Sequence, residues 1–200
     1  MPEQIKRFYG SRLSGYTDSA KAVGWANEEN QTRRFSVLTQ IGPLNEKHIL
    51  DAGCGLGDFY GYLQRNFRDF QYLGIDITDQ MIEQAHARFA EATFIVSDIL
   101  YFEAQAFDYV LASGLFALKV PDHESRTRRI ITKMFELCRE GVAFNMLHKG
   151  HHPDDETFAT YDPEVIKSFC TTLTPHAEVR TDYLPHDFTI YLYRNDPHRS

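Results

Sequence analysis

Two hundred residues, 42% hydrophobic and 14% aromatic, are enough for one globular domain with a full core and too few for two comfortable ones. A formal charge of −7 at pH 7 argues against nucleic acid or an anionic membrane as the main partner. Cys54, Cys138 and Cys170 are too far apart for a disulfide framework or a zinc spacing, which points to a reducing, cytoplasmic compartment.

No run approaches the roughly 20 apolar residues of a membrane span, and Met1 to Gly10 has no apolar signal core. Residues 1–26 read as irregular chain rich in Gly, Ser and Tyr, either a loosely docked terminus or a lid over the site. Asn27 to Ile41 reads as a helix, with Phe35, Leu38 and Ile41 as its apolar stripe and Gly42-Pro43 as its stop. Arg33 and Arg34 sit in its middle.

Ile49-Leu50-Asp51-Ala52-Gly53-Cys54-Gly55-Leu56-Gly57-Asp58-Phe59 follows. An apolar run ends in an acid, glycines alternate with other residues, and an amphipathic stretch begins, which is the pattern of strand, tight turn and helix. Glycines let backbone lie directly against a ligand, and the helix N-terminus offers free N–H groups. A dinucleotide turn wants G-x-G-x-x-G around a pyrophosphate. Here the third-glycine position is Asp58, of like charge to a pyrophosphate, and Asp51 suits a cationic ligand.

This stretch resembles the first motif of class I S-adenosylmethionine (SAM) dependent methyltransferases. The resemblance covers roughly residues 45–195, with 1–44 as an N-terminal lid or helical segment. It implies a seven-stranded, mostly parallel α/β sheet of Rossmann-like type with the last strand antiparallel and helices on both faces. It implies SAM as cofactor, with the turn of Gly53, Cys54 and Gly55 along its methionine and ribose portions. Tyr9, Tyr16 and Trp25 then become aromatic faces for a sulfonium, and Arg34 a candidate for the methionine carboxylate.

Phe70 to Ile75 is a second apolar run ending in Asp76, roughly 20 residues after the turn, the offset of a ribose-binding acid. Ile77 then lies against the adenine face, and Thr78 is placed to cap the next helix. Met81, Ile82, Ala85 and Phe89 form that helix's core face. Thr93 to Val96 is a third strand, followed by Asp98 and Ile99, which the resemblance places at the adenine amine and ring. Phe107 to Ala112 is the fourth strand, and the carbonyls of Ala112 and Ser113 are candidates for the methionine ammonium. A helix from about His123 carries Ile130, Ile131, Met134 and Phe135 inward, with Arg126, Arg128 and Arg129 as a solvated face.

Gly141 to Leu147 is the fifth strand, and the polar loop from His148 to Glu156 leaves its carboxyl end. Asp162-Pro163 caps a helix with Val165, Ile166 and Phe169 inward. Ala177 to Tyr183 and Phe188 to Arg194 form a terminal hairpin.

Methyl transfer from SAM mainly requires alignment, and a base only where the acceptor must lose a proton. His148, His151 and His123 are the candidate bases, with His152 and His186 beside them. His148, His151, His152, Asp154 and Asp155 also admit a divalent-metal reading, but no strand-end acid set for a metal shows, so no metal is assigned. The expected activity is methyl transfer to a small-molecule acceptor. Two alternatives stay open: the same fold acting on RNA or protein, supported by the arginine cluster, and a non-catalytic SAM- or nucleotide-binding module.

Overall fold

The computed structural model describes residues 2–13, 28–151 and 156–198. Trp25, Tyr16, His152, Asp154 and Asp155 lie outside the described residues. The elements are α1 (Pro2–Leu13), α2 (Glu28–Leu38), β1 (His48–Ala52), α3 (Asp58–Asn66), β2 (Gln71–Asp76), α4 (Asp79–Arg88), β3 (Thr93–Val96), β4 (Phe107–Ala112), α5 (His123–Glu136), β5 (Cys138–Leu147), α6 (Pro163–Cys170), β6 (Ala177–Arg180) and β7 (Asp187–Tyr193).

The strands form one seven-stranded sheet in the order β3-β2-β1-β4-β5-β7-β6. Strands β1 to β5 pair in parallel, while β7 runs antiparallel between β5 and β6. The order reverses beside β1, so β1 and β4 open a crevice at their carboxyl ends, where ligands of such sheets bind.

Adjacent residues along each central strand feed opposite layers, because side chains alternate across a sheet. Leu50, Val110, Val142 and Ile190 pack with Ile130, Ile131 and Met134 of α5 and Ile166 and Cys170 of α6. Their neighbours Ile49, Leu111, Ala143 and Tyr191 pack with Phe35 and Leu38 of α2 and Phe59 and Leu63 of α3. A smaller core joins Ile82 and Ala85 of α4 to Phe94 of β3.

Four local expectations change. Residues 2–13, read as irregular, form a helix. Val165 is 53% exposed, not inward. With Ile166 and Cys170 inward at i, i+4, the residue preceding Ile166 turns about 100° away from the core. Thr78 holds the N-cap position of α4, but its side chain makes no capping bond. The strand read as Ala177 to Tyr183 stops at Arg180, and the turn that follows brings Leu184 to Asp187 to the cavity. By contrast Asp162 caps α6 through both Glu164 N and Val165 N.

Candidate cofactor and acceptor site

The crevice is a cavity of about 490 Å³ at the carboxyl ends of the strands. Asp51, Gly53, Cys54, Gly55, Asp76, Ile77, Asp98, Ile99 and Ser113 all line it, so the strand-tip residues singled out in the sequence share one cavity. Arg34 and His123 line it as well. Ala112 does not: it is fully buried in the core beneath the loop.

The glycine turn is held by the neighbouring strand. Gly53 N and Cys54 N both donate to Ile75 O, at 2.8 and 3.0 Å. Gly53 and Gly57 have φ of 76° and 77°, a region that side chains with a Cβ enter only at a cost. The Asp76 carboxylate accepts from Gly55 N at 3.1 Å and Thr78 N at 2.8 Å, which locks the tip of β2 to the turn. Burial still raises its pKa against those bonds.

Asp51 is 1% exposed and accepts from the Tyr72 hydroxyl at 2.7 Å. Burial pushes its pKa up to about 7, the Tyr72 bond opposing, and nearby Asp76 and Asp58 add to the rise. The Cys54 thiol is raised for the same principal reason. A buried acid poised near neutrality, with other acids nearby, favours a ligand that brings positive charge.

Asp98 is more engaged than the sequence suggests. One oxygen accepts from Leu100 N at 3.0 Å and the other from Arg126 at 2.9 Å. Arg126, read as part of a solvated face, is instead 14% exposed and paired. One turn of helix places it inward while Arg128 and Arg129 stay outside, and a cluster of arginines in sequence hides that division.

Arg34 forms a buried ion pair with Asp187 at 2.6 Å, tying α2 to the first residue of β7. Asn145, which sequence reasoning missed, accepts from Gly114 N at 3.0 Å and donates to Ser113 Oγ at 3.2 Å, fixing the loop after β4. Its signal was present: one amide inside the apolar run of β5, 2% exposed. Tyr161 is tied to Thr127 and to the Phe116 carbonyl, at 3.0 and 3.2 Å.

The histidine loop sits differently from expectation. His148 and His151 stack at 4.2 Å and are absent from the cavity wall. Backbone pairing of His148 with His186 and of Lys149 with Tyr161 folds this loop over the β6–β7 turn, and His151 Nδ1 bonds to Pro185 O at 2.9 Å. The turn therefore brings His186 into the wall instead, with His123 from the start of α5. Among the described residues, no group of three or more His, Cys, Asp or Glu is arranged to hold a metal ion. Among them, too, no helix is long and apolar enough to cross a membrane.

Residues 49–141 match the family described as "Methyltransferase domain". The chain is 32% identical over 104 residues to trans-aconitate 2-methyltransferase of Afipia carboxidovorans, a match covering 52% of this chain and 41% of that one. It is 29% identical over 156 residues to a putative methyltransferase of Mycobacterium tuberculosis, covering 72% of this chain and 91% of that one. The chain thus spans about two-fifths of the trans-aconitate enzymes it matches. Magnesium protoporphyrin IX methyltransferase from Synechocystis, solved with bound SAM, shares the fold with a TM-score of 0.68 at 16% identity, over 97% of both chains. Residues 49–141 thus match a methyltransferase domain, and the glycine turn after β1 and the antiparallel β7 give the chain the Rossmann-like fold of class I methyltransferases.

Proposed function

We propose that the protein transfers a methyl group from SAM to a small-molecule acceptor by direct displacement. The observation that carries this reading is the meeting of Asp51, Asp76, Asp98 and the glycine turn in one cavity. The donor chemistry fits SAM. Asp51, Asp58 and Asp76 surround the turn, which suits a sulfonium and an ammonium and repels the diphosphate of a dinucleotide.

In this reading Asp76 accepts from the ribose hydroxyls, for which a carboxylate held by two backbone amides is preorganised. Asp98 accepts from the adenine amine, and Ile77 and Ile99 flank the ring. Asp51 balances the ligand's positive charge, and Arg34, steadied by Asp187, serves the methionine carboxylate. When bound, SAM supplies a methyl group made electrophilic by its sulfonium. The chain's own work is to hold the acceptor in line and to exclude water, and alignment alone is worth about 7–11 kcal/mol. His123 and His186 are the wall groups able to take a proton from the acceptor.

Of the N-terminal segment, α1 serves as the lid: it brings Ile5, Phe8 and Tyr9 to the wall, and Lys6 ties it to Asp79 at 2.7 Å. Three buried free thiols support a reducing, cytoplasmic setting. Calorimetry with SAM and its demethylated product, S-adenosylhomocysteine (SAH), tests the reading. Submillimolar binding of both is expected; no binding below millimolar, or preferential binding of NADH, ends it.

A further inference from the structure

The wall of the cavity carries a charge pattern that constrains the acceptor. Among the described residues, five carboxylates line it (Asp51, Asp58, Asp76, Asp98, Asp187) against two guanidinium groups, Arg34 and Arg126, with no lysine. With histidines counted neutral, that is a formal excess of three negative charges, of which the one on Asp58 is met from outside the wall by Arg88 at 2.6 Å. Both guanidinium groups are committed to carboxylates of the wall, Arg34 to Asp187 at 2.6 Å and Arg126 to Asp98 at 2.9 Å. A second carboxylate or phosphate would enter a net-negative space in which both guanidinium groups of the described wall already face a carboxylate.

The part of the wall away from the strand-tip acids is apolar. Phe116, Leu118 and Val120 come from the segment after β4, Phe158 from the loop before α6, and Leu184 and Pro185 from the β6–β7 turn. Phe116 is 3% exposed and packs edge-on against Phe144, so this surface is preformed by the core. Isolated bridging between Leu118 and Phe158 joins two of these segments into one face.

We infer that the acceptor is a lipophilic molecule, uncharged or cationic, such as an arylalkyl amine or a phenol, and not a polycarboxylate or a phosphate ester. This rests on the methyl-transfer reading and sets the acceptor apart from the tricarboxylate named in the relatives' trans-aconitate activity.

The full-length chain decides it in two stages. Titration with SAH alone reports on the cofactor reading, and its failure removes that reading before any acceptor is added. With SAH saturating at pH 8, trans-aconitate is then compared with phenylethylamine and 4-ethylphenol as probes. Tighter binding of either apolar probe, by tenfold or more over trans-aconitate, is the expected result. Equal or tighter binding of trans-aconitate overturns the inference, as does binding of none of the three. Leu184→Arg, which adds a cation to the half-buried wall outside the core, is expected to raise trans-aconitate affinity about tenfold; an unchanged value counts against the charge argument.

Discussion

The guanidinium of Arg34 lies 2.6 Å from the carboxylate of Asp187, and the two side chains are 7% and 3% exposed. They are separated by 153 positions in sequence, so this one pair fixes helix α2 to the amino end of β7 across the cavity. Removing one partner leaves an uncompensated buried charge, which costs about 3–5 kcal/mol. Asp187→Asn and Arg34→Ala are each expected to lose that much in urea unfolding. The double change Arg34→Met with Asp187→Leu is expected to lose clearly less than the two single losses together. Additive losses would show that the two groups do not interact.

Asp51 gives a pH dependence with a definite sign. Its pKa stands near 7 in the folded protein and near 3.8 when unfolded. Between those values the folded state binds more protons, so the unfolding free energy falls as pH rises, most steeply by about 1.4 kcal/mol per pH unit. The loss is complete above pH 7, and below pH 4 the group has no effect. Asp51→Asn is expected to flatten the stability profile between pH 4 and 7, measured by urea unfolding at fixed ionic strength. Binding of a cation beside the ionised form is expected to release protons near pH 7, which calorimetry in buffers of different ionisation enthalpy reads directly.

Gly57 and Gly150 make a controlled pair. Both have positive φ, 77° and 85°. A Cβ at Gly57 would lie 2.9 Å from the Phe94 ring and 3.0 Å from Phe89, whereas one at Gly150 meets nothing within 4 Å. Gly57→Ala is expected to cost roughly 2–4 kcal/mol, from left-handed strain plus overpacking, and Gly150→Ala only about 1–2 from strain. Equal losses by thermal unfolding would mean that the ring contacts carry no weight.

Asp76→Asn keeps the shape of the β2 tip but removes the charge that two backbone amides and a ribose would share. Charge-assisted hydrogen bonds of this kind are worth about 1.5–3 kcal/mol, so SAH affinity is expected to fall roughly 10–100-fold. An affinity unchanged within threefold would remove Asp76 from the cofactor site.

All three cysteines are buried and unpaired. Burial raises each thiol, Cys170 to about 12, so little thiolate exists near neutrality. Native protein is expected to resist a disulfide-exchange reagent until denaturant is added, when three thiols react.

Sequence reading reached the elements whose signals are local and periodic. The motif from Ile49 to Phe59, the acids at Asp51, Asp76 and Asp98, and the terminal hairpin all declare themselves within a few residues, and the sheet follows from their order. What it missed depends on contacts far apart in the chain. Arg126 looks like its exposed neighbours Arg128 and Arg129 until α5 is docked beside Asp98. His148 and His151 sit where a catalytic loop starts, yet the backbone bond from His148 to His186 and the bond of the His151 ring to the Pro185 carbonyl hold them away from the cavity wall. The helix at residues 2–13 carries Gly10 and mixed polar residues, a weak pattern that gains its apolar role from Ile5, Phe8 and Tyr9 against the cavity.

The reversed direction of β7 also bears on how such a protein diversifies. Leu147 pairs with Asp187, so the short turn before β7 arrives beside the exit of β5 without a crossover helix. A few residues, Leu184 to Asp187, thus reach the chamber from a hairpin whose hydrogen-bonded ladder does not depend on their identity. Asp187 is anchored by Arg34, and Pro185 and His186 are tied to the His148–His151 loop; the side chain of Leu184 is the part of this corner that can change while the framework stays intact, which makes it the natural place to retune what the protein accepts.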